Sequence, residues 1–299
     1  MSTLQIQTIL YNNKKEDLIK SLDSIKNAIN VSNSSNKEFN LITVCYGDAS
    51  PSRVFSEKEI KTIEQHFGES FKFKYTYFDC NTGTSKGHNL LAKNCNTDYL
   101  LLMNPDIIFV PNFLTEITKP FNNDSNVGIV EGRQVPIEHP KEYSLKTGET
   151  SWSSGACTFI KTDLFHQVNG YDEETFFMYC DDVDLSWRIK LLGKKVIYQP
   201  RAMVFHAKRL SVEGKWQPTS AEVYYSAEAG LLMAYKWSNK KLLSKIIAYF
   251  KSSADENLIK AVNNFEMRKE KNLLPEPLDK DHKVAQFIEG NYSRNRFTL

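Results

Sequence analysis

Two acidic clusters and one histidine carry the residue types from which chemistry on a phosphorylated substrate can be built. Asn104-Pro105-Asp106 follows directly on the apolar run Tyr99-Leu100-Leu101-Leu102-Met103. Proline fixes the backbone there, so the Asp106 carboxylate is expected in a rigid turn, and a hard oxygen ligand so placed suits Mg²⁺ or Mn²⁺ bridging phosphates. The same tripeptide also makes an ordinary turn in which the aspartate caps the next element. Asp181-Asp182-Val183-Asp184 opens a helical segment. Capping and the helix dipole favour acids at a helix N-terminus, yet carboxylates this close oppose one another and call for a cation or a proton. A fixed carboxylate that removes a proton from a hydroxyl fits the same pattern. His206 closes the apolar Ala202-Met203-Val204-Phe205 and reads either as a core or edge histidine or as a second ligand to an ion at Asp106. The loop from Asn81 to Asn89 contains Gly83 and Gly87, so its backbone can approach a phosphate closely. Its glycine spacing is neither that of the Walker loop nor that of the dinucleotide fingerprint.

These groups need a scaffold, and the chain alternates strand-like and helix-like segments from its start. Leu4 to Leu10 reads as a strand running into Tyr11-Asn12, and Asn13 with Glu16 has the spacing of a capping box before the stripe Leu18, Leu22, Ile25, Ile29. Asn30 to Asn40 reads as a polar loop, and Leu41 to Val44 as a second strand leading to Tyr46-Gly47-Asp48. Ser56 with Glu59 repeats the capping pattern before Ile60, Ile63 and Phe67, and Phe71 to Phe78 alternates as a strand. The uninterrupted run Tyr99 to Met103 predicts a strand covered on both faces. The alternation implies βαβ units and an α/β fold with a mostly parallel central sheet flanked by helices. In such sheets ligands bind beyond the carboxyl ends of the strands, where Tyr11-Asn12, Tyr46-Gly47-Asp48 and Asn104-Pro105-Asp106 all fall. Val127 to Glu131, Cys157 to Ile160 and Lys195 to Tyr198 read as further strands, and Asp181 to Leu192 as a helix. After His206 the texture turns helical (Glu222 to Tyr235, Lys240 to Lys251), which sets a boundary near residue 210 between a domain over 1–210 and a helical extension over 211–299.

Composition bounds the partners. The chain has 299 residues, 41% of them apolar and 25% charged, and Lys+Arg 38 against Asp+Glu 36 leaves a net charge of +2. No global field favours nucleic acid. The five cysteines are widely spaced and never in Cys-x-x-Cys pairs, which argues against a disulfide framework or structural zinc and fits a reducing compartment. Neither a signal peptide nor a run of roughly 18 to 20 apolar residues is apparent. A cytoplasmic protein is expected. Lys240 to Lys251 is a basic amphipathic helix that suits either the inner face of an anionic membrane or docking on the main domain.

Taken in order, Tyr11-Asn12, Asn81-x-Gly83…Gly87-x-Asn89, Asp98 to Asp106, Ser154-Gly155-Ala156, Asn169 to Glu173, Phe176 to Arg188 and Pro200 to His206 resemble the family 2 inverting glycosyltransferases of GT-A fold, especially the bacterial rhamnosyltransferase-like branch. The resemblance covers residues from about 5 to 210. It implies a GT-A, Rossmann-like sheet and transfer of rhamnose or another hexose from a nucleotide-diphosphate sugar, dTDP- or UDP-linked, to a glycan or lipid-linked acceptor in surface polysaccharide synthesis. By position it implies that Asp106, with His206 completing the site, holds Mg²⁺ or Mn²⁺ and that Asp182 of the Asp181-Asp182 pair is the general base. Tyr11, Asn12 and the loop bearing Asn81, Gly83, Gly87 and Asn89 would lie near the nucleotide, and Ser154 and Gly155 near the donor sugar. Two positions depart from the family. Asn104 stands where the metal motif has its first aspartate, and Gly47-Asp48-Ala49-Ser50 replaces the turn that reads the base, leaving Asp48 to contact base or ribose. A non-catalytic nucleotide-sugar or glycan-binding module on the same fold is the competing interpretation. A sugar nucleotidyltransferase is disfavoured because no Gly-rich, Arg/Lys-bearing loop stands near the N-terminus.

Overall fold

The computed structural model describes residues 1–35, 37–139, 142–207, 217–288 and 292. The elements are β1 (Ser2–Leu10), α1 (Lys15–Ser35), β2 (Phe39–Asp48), α2 (Glu57–Phe67), β3 (Lys72–Tyr77), α3 (Gly83–Ala92), β4 (Tyr99–Met103), β5 (Ile107–Phe109), α4 (Phe113–Asn123), β6 (Val127–Val135), β7 (Cys157–Lys161), α5 (Thr162–Gln167), α6 (Asp181–Leu191), β8 (Lys195–His206), α7 (Ser220–Lys236), α8 (Lys240–Lys251) and α9 (Glu256–Glu270).

Eight strands form one sheet in the order β3-β2-β1-β4-β7-β6-β8-β5. β1 lies parallel between β2 and β4, with Leu10 beside Asp48 and Thr8 beside Met103, so the three polar clusters do leave the sheet at one edge. β2–β3 and β6–β8 are also parallel, whereas β7 runs antiparallel to β4 and β6, and β5 antiparallel to β8. β4 is sandwiched as its apolar run predicts: Leu101 and Met103 enter the core with α1, α2 and α4, while Leu100 and Leu102 enter the opposite core with α3, α5 and α6.

Several local expectations are corrected. The box at Ser56–Glu59 forms, but Asn13 does not cap α1: its Oδ1 accepts the Tyr11 N–H at 2.8 Å and tightens the turn after β1. The segment read as a loop from Asn30 is helical to Ser35, because Ala28, Ile29 and Ser32 continue the buried stripe and the Ser34 and Ser35 hydroxyls return to carbonyls one turn back. β8 runs through Pro200, where the pairing register with β6 shifts between Gly132 and Arg133 and the proline needs no ladder partner. The polar stretch after residue 255 hides α9, whose Ala261, Val262 and Phe265 are buried.

The C-terminal helices share a third core with the sheet domain. α7 and α9 place Leu231, Leu232, Trp237, Val262 and Phe265 against Trp152, Phe176, Val183 and Trp187. α8 buries Leu242 and packs Leu243, Ile246, Ile247 and Phe250 on the same cluster. Among the described residues no helix is long and apolar enough to cross a membrane.

Candidate active site

A cleft of about 320 Å³ opens at the carboxyl end of the sheet, lined among others by Asn104, Asp106, Ser154, Gly155, Asp181, Asp182 and His206. Residues far apart in sequence meet here because β4 and β8 end at this edge while β7 and α6 begin there.

The acidic pair is presented by a strained entry into α6. Tyr179 and Cys180 both adopt left-handed backbone, with φ of 67° and 58°, which costs on the order of 1–3 kcal/mol for each non-glycine residue. The turn puts Asp181 and Asp182 in the first helical turn with different surroundings. Asp182 Oδ2 accepts the Gly155 N–H at 2.7 Å and Oδ1 accepts the Val183 N–H at 2.8 Å, and both bonds favour the ionised form. Gly155 lies so close that an added Cβ would meet the Asp182 Cβ at 3.2 Å. Asp181 is buried, with Oδ2 receiving the Ser85 hydroxyl at 3.0 Å; burial, then the charge of Asp182, push its carboxyl up to about 7. Burial thus raises the Asp181 carboxyl, while the two N–H donors favour the charged form of its neighbour. Asp184 points elsewhere. It is fully buried and paired with Arg188 at 2.7 Å and Lys236 at 2.6 Å, so the cation that the crowded acids demand comes from α6 itself and from α7.

Across the cleft, His206 Nδ1 lies 2.7 Å from Gln134 Oε1, an acceptor that places the proton on Nδ1. Nε2 then faces Asp106 Oδ1 at 3.3 Å and Asn104 Nδ2 at 3.4 Å. Gln134 also donates to Ser154 Oγ at 3.0 Å and so ties the histidine to the Ser154-Gly155 turn. An imidazole nitrogen beside a carboxylate fits Mg²⁺ or Mn²⁺, which is usually held by few side chains plus phosphate oxygens and water. Among the described residues no three His, Cys, Asp or Glu side chains cluster for a metal, so the protein's share of such a site is Asp106 and His206, with Asn104 alongside.

The remaining candidates do not line this cleft. Tyr11 is half exposed at the end of β1, and the Asn12 N–H donates to Ser50 at 2.8 Å. Asp48 is fully buried: its carboxylate accepts Ser50 N–H at 2.9 Å, Val54 N–H at 2.8 Å and the Tyr75 hydroxyl, so it braces the loop after β2 instead of presenting an acid to a base or ribose. Asn81 Oδ1 accepts the Gly83 N–H at 3.1 Å, and Gly83 takes φ of +65° where a Cβ would strike the Phe177 carbonyl oxygen at 2.4 Å. Asn89 is spent on the 169–173 turn, accepting Tyr171 N–H at 2.9 Å and donating to the Tyr171 carbonyl and Glu173. Gly87 is a contact point between α3 and β1, with Ile9 2.9 Å from where its Cβ would stand. Of that loop, Thr84 reaches the cleft. Gln134, Ser85, His139, Glu222 and Tyr292 were not legible as site residues: Gln134 lies beyond the apolar part of β6, Ser85 is one polar residue of the 81–89 loop, Glu222 reads as the partner of Thr219 in a capping box, and His139 and Tyr292 have no local pattern.

Comparison with known proteins places the chain in a family. The family described as Glycosyl transferase family 2 matches residues 6–185. The N-acetylglucosaminyl-diphospho-decaprenol L-rhamnosyltransferase of Mycobacterium tuberculosis (strain ATCC 25618 / H37Rv) is 44% identical over 57 residues, 19% of this chain and 18% of that protein. The rhamnosyltransferase WbbL of Escherichia coli (strain K12) is 37% identical over 68 residues, 23% of this chain and 24% of that protein. The matched stretch is thus a minor part of each relative. Among solved structures, GalNAc-T7 with UDP, GalNAc and Mn²⁺ superposes with a TM-score of 0.66 at 13% identity, covering 95% of this chain and 57% of that one. The mannosyltransferase PcManGT from Pyrobaculum calidifontis, in complex with GDP-Man and Mn²⁺, gives 0.57 at 13% identity over 89% of this chain and 69% of its own. These neighbours share the GT-A fold.

Proposed function

The chain belongs to glycosyl transferase family 2, rhamnosyltransferase-like, and from that premise we propose that it is an inverting transferase moving rhamnose or another hexose from a dTDP- or UDP-linked donor to a glycan or lipid-linked acceptor. The observation that carries this reading is the pairing, in one cleft, of an Asp182 carboxylate fixed by two N–H groups with the Asp106–His206 pair across from it. Residues 1–210 form the transferase domain in this reading, and 211–299 a helical extension. The protein works in the cytoplasm, with α8 offering peripheral contact to the inner face of an anionic membrane.

In the proposed reaction the acceptor hydroxyl lies against Asp182, which takes its proton as the oxygen attacks the anomeric carbon. The new carbon–oxygen bond forms as the bond to the diphosphate breaks on the opposite side, inverting the centre. The Gly155 and Val183 N–H groups favour the charged form of Asp182 and aim it, while burial raises the Asp181 carboxyl and so lessens the second charge beside it. Ser154 and Gly155 border the donor sugar. Asp106 and His206 would hold Mg²⁺ or Mn²⁺, which supplies charge neutralisation for the departing diphosphate. Nucleotide contact is assigned to Tyr11, Asn12 and the backbone around Asn81 and Gly83.

Incubation of the pure protein with UDP- and dTDP-hexoses and Mn²⁺ is expected to release nucleoside diphosphate, and a chelator to suppress the release. Asp182→Asn should lose on the order of 10²–10⁴-fold in transfer yet keep the thermal shift produced by nucleoside diphosphate with Mn²⁺. Full activity in that variant would sink the assignment of the base, and donor binding with no turnover in the wild type would favour a non-catalytic sugar-nucleotide binder.

A further inference from the structure

The cleft contains more aromatic surface than a diphosphate and a cation require. His139 and Tyr292 both line it, and both rest edge-on against Trp152, with ring centroids 5.4 Å and 5.0 Å away at interplanar angles of 72° and 81°. Trp152 itself is 3% exposed, so it forms the backing and the other two rings the face.

This wall stands on the same foundation as Asp182. Trp152 packs among Val183 and Trp187 of α6. The next residue, Ser153, donates its N–H to Ser186 Oγ at 3.0 Å, and Ser186 in turn donates to the Asp182 carbonyl at 2.7 Å. The Asn104, Asp106 and His206 group belongs instead to the ends of β4 and β8. In a displacement with inversion the acceptor enters opposite the leaving diphosphate, which puts it on the α6 side. A nucleobase also stacks on tyrosine, but Tyr11, Asn12 and Asp48, at the ends of β1 and β2, do not line this cleft.

Resting on the assignment of Asp182 as the base, we infer that His139 and Tyr292, backed by Trp152, form the acceptor subsite and receive the C–H face of a hexopyranose. A pyranose has one apolar face and a rim of hydroxyls, and aromatic rings pack well against such a face. Glu222 lines the same cleft with its Oε2 held by the Thr219 N–H at 2.7 Å and the Thr219 hydroxyl at 2.9 Å; a carboxylate so fixed suits a sugar hydroxyl. Glu222 and Tyr292 both come from beyond residue 210, so the C-terminal extension completes the site rather than merely bracing it.

Saturation-transfer difference NMR on the full chain, with the methyl glycosides of N-acetylglucosamine, glucose, galactose and rhamnose as probes, tests this directly. Transfer to ring C–H protons of at least one glycoside is expected, falling at least fivefold in Tyr292→Ala and retained in Tyr292→Phe. His139→Ala, which removes the other ring, should weaken the same contacts. UDP and dTDP binding with Mn²⁺ should be unchanged in all three variants. No transfer from any glycoside to the wild type, or wild-type transfer in both Tyr292→Ala and His139→Ala, overturns the subsite. Glycoside contacts that depend on Tyr292 in a protein that binds neither nucleotide would uphold the wall and sink the transferase reading instead.

Discussion

Asp181 and Asp182 are neighbours in sequence with different surroundings. Asp182 accepts from the Gly155 and Val183 N–H groups, whereas Asp181 is buried beside that carboxylate, and its bonds to the Ser85 hydroxyl and to backbone N–H groups do not offset the burial; the buried phenol of Tyr171 lies close by. The folded protein therefore keeps a proton on Asp181 up to about 7, while the unfolded chain releases it near the ordinary value of 3.8. Between those values the native state binds the extra proton, so the group's contribution to stability is present at low pH and is lost as pH rises through about 7. Asp181→Asn has no such proton to lose. Its melting temperature relative to wild type should climb from pH 4 to pH 7 and then level off, and a difference independent of pH would refute the raised carboxyl. At this scale the sequence was legible where a residue type is chemically loaded, as with Asp106, Asp182 and His206. It was not legible where a side chain works by holding another, as with Gln134 behind His206, because an amide in a strand carries no local pattern. Asp48 and Asn89 misled for a related reason: polar residues at strand and helix ends serve the turns beside them as readily as a ligand.

At the scale of elements, α6 is the part whose position matters most, and α7 fixes it. Lys236, almost fully buried, bridges Asp184 of α6 at 2.6 Å and Asp172 of the preceding turn at 2.7 Å. The Trp237 indole donates to Asp184 at 3.0 Å, and Arg188 reaches from Asp184 to the Val168 and Gly170 carbonyls. Removing one member of a buried ion pair leaves charge without compensation and costs about 3–5 kcal/mol. Lys236→Met should lower stability by that order in guanidinium unfolding, whereas Lys240→Met, on the exposed start of α8, should change it by less than about 0.5 kcal/mol. Equal stability of Lys236→Met and wild type would show that Arg188 alone balances Asp184. The helices themselves could be foreseen from apolar periodicity and from boxes such as Ser56–Glu59. Their ends could not, since α1 persists through serines that bond back to its own carbonyls and α9 hides three buried residues in polar sequence.

For the whole molecule, near-neutral charge conceals an uneven distribution: acids gather at the cleft, and lysines gather on α8. The apolar stripe of α8 expected to meet either lipid or protein is turned inward, with Leu242 buried and Leu243, Ile246, Ile247 and Phe250 packed on the third core. What remains outside is Lys240, Lys241 and Lys245 with the largely exposed Tyr249; Lys251 is already paired with Glu266 at 2.7 Å. A helix in that state has little apolar surface to insert, so its attraction to a membrane is electrostatic, about 1 kcal/mol for each lysine near an anionic surface. Such attraction decays within a Debye length of about 8 Å at physiological salt. Sedimentation with vesicles should therefore show binding to phosphatidylserine-containing lipid at low ionic strength, none to neutral phosphatidylcholine, and release as salt approaches 0.5 M. Replacing Lys240, Lys241 and Lys245 by glutamine should abolish the low-salt binding without altering nucleotide binding, because the cleft lies at the sheet edge and uses none of them. Binding to neutral vesicles that survives high salt would mean that α8 leaves its core to insert, and the docked arrangement of the extension would then be one of two states.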